Sequence, residues 1–433
     1  MPNLPLYELT RALSEADVQS YQSELANLQG NILKSHGRGA AVHLFLTFKP
    51  KKMPQVKQFL RHFGPTSAIE QREQARRYNE TGELAERFAC LGLSARGYAY
   101  LKLPTTHFSP EFRQGMRRRA QLADPSPEKW ESKFQRPLHA LIILADDRVE
   151  MLTEQLSKLR EKLKPFADVG VEFGLTMRNE SKNPIEHFGY ADGISQPLFY
   201  ESDLEGTPLQ WNPSAGPNLV LVKDPHSHLP AACGTYWVFR KLEQNVAGFE
   251  AQETQLDKKG IDLDDPGAMA VGRFEDGTPL ALHKKERTLR QPENDFTYAR
   301  DPEGNKCPVF GHVRILNPRR ESDKPHRIAR RGITYGDPTP PSDKDYELPE
   351  RGVGLLFQCC QADIANQFEY LQQLANGQGD PLIGQPESKY RLQFPTAYGK
   401  SGKRVSFDFK RFVTLKGGEY FFIPSISFLE DLR

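Results

Sequence analysis

The chain has 433 residues, enough for two packed domains and a large buried core. Lys and Arg total 58 against 56 Asp and Glu, a net charge of +2, so nothing global argues for nucleic acid or an anionic membrane as partner. Five cysteines, odd in number and without CxxC or Cys/His spacing, argue against a disulfide scaffold or a zinc site.

The first residues, MPNLPLYELTRAL, lack the basic start and apolar core of a signal peptide, and there is no twin-arginine start. No apolar run reaches the ~18–20 residues of a membrane span. A soluble protein of the reducing cytoplasm is therefore expected. Residues 41–48 (AVHLFLTF) and 138–144 (LHALIIL) read as strands, with 88–103 a mixed strand and glycine stretch between them. Over residues 146–163, Val149, Leu152, Leu156, Leu159 and Leu163 recur with helical spacing, and Pro165 closes the run. Another strand is expected near 169–173. After a loop at 202–217, residues 234–240 (GTYWVFR) predict a strand and 241–255 a helix. His312–Leu316 and 352–361 (GVGLLFQCCQ) predict strands, and 363–375 a helix. Residues 412–424 read as a hairpin turning at Gly417-Gly418. Both halves follow a similar element order, which predicts an α+β fold with antiparallel sheets and helices on one face. Charged or Pro-rich segments at 258–306, 336–351 and 376–404 interrupt the pattern.

Few residues stand out for chemistry. Asp192 sits in GYADGISQP, where Gly189 and Gly193 permit unusual backbone angles around a carboxylate. An ordinary Asp-Gly turn is the bland alternative. His312 lies in GHVRILNPR. On a strand, His312 and Arg314 would share a face, which suits an iron ligand beside a carboxylate-bearing cofactor. A satisfied core histidine is the competing reading. Arg330 and Arg331 precede GITYG, and a guanidinium can stabilise anionic oxygen, although a solvated basic patch would look the same. Leu355 and Phe357 alternate on one strand face, as pocket wall or plain core. Glu186 and His187 precede the glycine motif at a spacing that fits no metal-ligand pattern. Packing is the expected role for Trp130, Trp211, Trp237 and most of the tyrosines.

Taken in order, LQGNIL, GYADGISQP, GTYWVFRKLEQ, GHVRILNPR, RRGITYGDP, GLLFQCCQADIANQFEYLQ, DPLIGQ and GGEYFFIPS resemble the blocks of the dye-decolorising (DyP-type) peroxidase family along most of the chain. The resemblance implies two ferredoxin-like domains, an N-terminal one over residues 1–215 carrying the glycine-framed aspartate and a C-terminal one over 216–433. It implies one haem b per chain, held mainly by the C-terminal domain. His312 would be the proximal iron ligand, Asp192 the distal acid/base and Arg330 the distal arginine. Asp380 would be the acidic partner of His312, with Asp363 as second choice. Arg314 would contact a propionate, and Leu355 and Phe357 would line the distal side. The position that carries Asn or Ser in some relatives is Gly332 here. The implied activity is reduction of hydrogen peroxide, via a ferryl intermediate, with oxidation of small organic donors such as dyes or phenols. A homodimer is the expected assembly. The alternative is a haem-handling protein with little turnover, which would need neither Asp192 nor Arg330.

Overall fold

A computed structural model describes residues 4–205, 211–288, 293–339, 347–385 and 391–433, so parts of the predicted loops at 202–217, 258–306, 336–351 and 376–404 lie outside the described residues. The strand Ala40–Phe48 (β1) is almost wholly apolar because both of its faces are covered. Ala41 and Phe45 face an inner core, whereas Val42, Leu44 and Leu46 join an outer one. The outer core lies under the helix Val149–Leu163 (α1), which contributes Leu152, Leu156, Leu159 and Leu163 as a single stripe.

The N-terminal half adds Phe88–Ser94 (β2), Ala140–Asp146 (β3) and Ala167–Leu175 (β4). The C-terminal half adds Cys233–Gln244 (β5), Ala329–Arg330 (β6), Ile333–Tyr335 (β7), Gly354–Gln361 (β8) and Val413–Ile423 (β9). The sheet runs β7-β8-β5-β9-β2-β3-β1-β4, all antiparallel, with β6 pairing beside β8. Within each half the strands take the same ferredoxin-like order. The halves meet edge to edge, where Phe421 pairs with Ser94 and Phe422 with Leu93. At the far ends the sheet curls back on itself. The Thr334 hydroxyl donates to the Leu175 carbonyl, and a side chain at Gly174 would collide with Ile333. Inside the resulting barrel, Phe45 packs tilted against Phe239 and edge-on to Phe134 at centroid distances of 4.6 and 5.0 Å. Such aromatic pairs contribute about 0.5–1.5 kcal/mol each beyond area burial.

Several expectations are corrected. Residues 412–424 are not a hairpin but one strand, β9, with a bulge between Leu415 and Gly417. The glycine is needed there because a Cβ at Gly417 would overlap the Phe134 ring. β5 continues to Gln244, and the helix Val246–Asp257 (α2) starts only at the Asn245 cap, whose side chain accepts from Gly248 N–H at 2.8 Å. His312–Leu316 is a short helix (α3), not a strand. The predicted helix over 363–375 opens with a π-turn at Ala365–Glu369 before the α-helix Tyr370–Gln378 (α4).

The LQGNIL segment has a structural task. Gln29 is fully buried, accepts from Leu91 N–H (2.8 Å), and donates to the carbonyls of Leu91 (3.1 Å) and Pro424 (2.8 Å). It thus fastens the seam between the half-sheets. Gln29→Ala would leave buried peptide groups unpaired, each costing about 1–3 kcal/mol. The expected outcome is a loss of about 2–4 kcal/mol, read as a lowered urea midpoint.

Candidate active site

Strand alternation decides which C-terminal side chains leave the barrel core. Leu356 of β8 points inward, while Leu355 and Phe357 face a cavity outside the barrel. Arg240, Leu242 and Gln244 of β5 and Arg330 of β6 line the same cavity, which has a volume of about 280 Å³. The helix α3 and the segment 186–197 complete its walls.

His312 lines this cavity from the first position of α3. Its Nδ1 lies 2.8 Å from Oδ2 of Asp380, which is fully buried. Asp380 is fixed in turn, because its Oδ1 accepts from the N–H groups of Leu382 (2.8 Å) and Ile383 (3.0 Å). A carboxylate held this way accepts the Nδ1 proton, which leaves the Nε2 lone pair of His312 for a metal. Asp363 does something else: it accepts from Asn366 N–H at 3.0 Å at the start of the π-turn. Because α3 is helical, residues two apart lie about 200° apart around its axis. Arg314 therefore turns away from the cavity. It binds Asp301 (3.1 Å) and the Cys307 carbonyl (2.5 Å) and stacks 4.7 Å from the Tyr298 ring centre. Among the expected site residues, Arg314 is thus not brought to the cavity wall with His312.

Asp192 also lines the cavity, within a loop that needs positive φ at Gly189 (94°) and Gly193 (83°). Its Oδ1 accepts from Arg330 Nη1 at 2.8 Å and from Gly193 N–H at 2.6 Å. Arg330 donates through Nη2 to the Ile194 carbonyl (2.7 Å), and its own N–H binds Gln196 Oε1 (3.1 Å). The two polar groups thus share one scaffold. Arg331 instead is buried, holding the carbonyls of Asn31 and Ile32. Gly332 lines the cavity and adds no polar side chain.

These residues fit a haem. A histidine with a free Nε2 and a charged partner behind it is a suitable axial ligand. Leu316, Leu355, Phe357 and Leu371 offer the apolar walls a macrocycle needs. Arg327 lines the cavity with a guanidinium that, among the described residues, donates to the carbonyls of Asn212, Ser214 and Lys324 and meets no carboxylate, so it can take one. Among the described residues no group of three His, Cys, Asp or Glu could hold a bare metal ion. His187 is buried, with Nε2 2.8 Å from the Tyr335 carbonyl, and burial lowers its basicity.

Glu186 is the cavity residue that sequence reasoning undervalued. It lines the cavity and accepts from the N–H groups of Phe188 (3.0 Å) and Tyr190 (3.1 Å) and from Gln244. Burial pushes its carboxyl up to about 7, and the negative charge of Asp192 adds to the shift. The only signal in the sequence was its place three residues before Gly189. A carboxyl raised in the folded state stabilises below its ordinary value and loses that contribution as pH rises through the folded one. The loss should fall between about pH 4.5 and pH 7, up to about 3 kcal/mol. Glu186→Gln should flatten the decline of the thermal midpoint between about pH 5 and pH 8, as read by differential scanning calorimetry; an unchanged slope would exclude Glu186 as its source.

Comparison with known proteins fits this geometry. Residues 27–177 match the model of the DyP dimeric alpha+beta barrel domain, and residues 206–385 match that of the Dyp-type peroxidase C-terminal domain. The chain is 36% identical to the multifunctional dye peroxidase DyP2 of an Amycolatopsis species, over 94% of this chain and 96% of that protein. It superposes on the crystal structure of the Anabaena DyP-type peroxidase AnaPX with a TM-score of 0.92 and 37% identity, covering 100% of this chain and 98% of that one. A deferrochelatase of Yersinia pseudotuberculosis is 26% identical over 46% of this chain and 38% of its own length. The chain belongs to the DyP-type peroxidase family, whose members are haem b enzymes, and it is a haem peroxidase.

Proposed function

We propose that the cavity reduces hydrogen peroxide with electrons from small organic donors such as dyes or phenols, with His312 and Asp380 as the proximal pair and Asp192 and Arg330 as the distal pair. The observation that carries this reading is that His312, backed by buried Asp380, lines the same cavity as the hydrogen-bonded pair Asp192 and Arg330. When bound, haem supplies an iron that holds peroxide and stores the oxidising equivalents. Asp192 takes the proton from one peroxide oxygen and delivers it to the other. Arg330 places a permanent positive charge beside the oxygen that gains negative charge as the O–O bond breaks. Asp380 keeps the Nδ1 proton of His312 and gives the ring imidazolate character. Arg327, in place of Arg314, is the proposed propionate partner.

The deferrochelatase likeness keeps the haem-handling alternative in view, but it covers less than half of the chain. The presence of both Asp192 and Arg330 favours turnover, since a carrier needs neither. All five cysteines are unpaired and buried, which supports a reducing cytoplasm as the proposed location. No helix among the described residues is long and apolar enough to cross a membrane. The dimeric domain matched by residues 27–177 supports a homodimer, and light scattering should then give twice the chain mass.

In stopped-flow mixing of haem-loaded protein with hydrogen peroxide, Arg330→Leu should slow the first spectral change by about 10²–10³-fold. Asp192→Asn should slow it by about 10²–10⁴-fold. Unchanged rates in both variants, with haem still bound, would overturn the assigned distal roles.

A further inference from the structure

A second pocket, of about 290 Å³, opens between residues 94–96, the segment 113–118 and Glu419. Arg96, Arg113, Arg117 and Arg118 line it against this single carboxyl. Among the described residues none of the four arginines forms an ion pair. Arg117 is anchored by hydrogen bonds to the carbonyls of Phe134 (2.8 Å), Gln135 (3.3 Å) and Arg136 (3.3 Å), which orient it without cancelling its charge. Its Nε–H is buried and has no acceptor. Burial depresses the basicity of this guanidinium, the charge of Glu419 opposes that shift, and the charges of Arg96 and Arg118 add to it. Glu419 is one carboxyl against four guanidinium groups. It is buried, its Oε1 accepts from the N–H groups of Met116 (3.0 Å) and Tyr420 (2.9 Å), and burial pushes its carboxyl up.

Four guanidinium groups around one hollow with a single carboxyl leave an excess of positive charge that a bound anion would offset. The forks of Arg96, Arg113 and Arg118 match the paired oxygens of a phosphate, sulfonate or carboxylate, and Arg117 adds a fixed positive charge behind them. A volume at the low end of the about 300–1,000 Å³ typical of ligand pockets suits a small molecule. We propose that this pocket is a second ligand site, which binds small molecules carrying two or more such oxyanion groups.

The test is calorimetric titration of the haem-loaded protein with pyrophosphate and, separately, with naphthalene disulfonate. Wild type is compared with the double variant Arg113→Glu/Arg118→Glu and with Arg160→Glu, an exposed charge on α1. Arg113 and Arg118 are exposed as well, so the fold should survive, as the haem absorbance band can verify. The expected result is one site per chain, weakened on the order of tenfold or more in the double variant and unchanged in Arg160→Glu. Binding of pyrophosphate alone would identify inorganic or phosphorylated ligands; binding of the disulfonate as well would extend the site to aromatic anions. Absence of binding to wild type, equal affinity in the double variant, or equal weakening by Arg160→Glu would overturn the proposal. None of these outcomes depends on peroxidase turnover.

Discussion

Two residue pairs, Phe421 with Ser94 and Phe422 with Leu93, join the half-sheets into one continuous surface. Everything else in the molecule depends on that seam. It brings Phe45 of the first half against Phe239 of the second and gives the barrel a shared core. It also explains why a glutamine is fully buried between them, since Gln29 supplies the hydrogen bonds that a short strand pairing leaves unmade.

With the inner faces committed to that core, the outer face of the C-terminal strands is free to form the haem cavity. The period of two along β8 separates structure from function residue by residue, with Leu356 inside and Leu355 and Phe357 outside. The polar groups of the cavity are then positioned by backbone. Asp380 is held by two N–H groups, and Arg330 by a carbonyl and by the carboxylate it orients. Positions set by main chain resist side-chain motion, which suits the proton transfer proposed for this site.

The long apolar strands and α1 were legible because their periods are strong and extend over many residues. His312–Leu316 was not. Val313, Ile315 and Leu316 give it a strand-like look, but a five-residue helix leaves no periodicity to read, and a strand would put Arg314 on the face of His312. The glycine pair at Gly417-Gly418 has the look of a turn, although glycine at 417 serves close packing against Phe134. Asp192, His312 and Arg330 stood out through ordered family blocks rather than through their own chemistry, since each alone reads more simply as turn, core or surface. Glu186 was passed over because burial, which sequence does not show at an isolated acid, is what makes its carboxyl unusual. The second basic pocket was equally hidden, because Arg96 joins residues 113–118 only through the fold.

The seam also has a meaning in time. Ser94 is made early and Phe421 near the end of the chain, so during synthesis the edge of β2 waits for its partner. At about 5–20 residues per second that wait is on the order of half a minute. Throughout it, an apolar strand edge remains open to the wrong neighbour. The cell that makes this chain must either shield the nascent N-terminal half or let Gln29, already attached to Leu91, cover part of that edge until the last strand arrives.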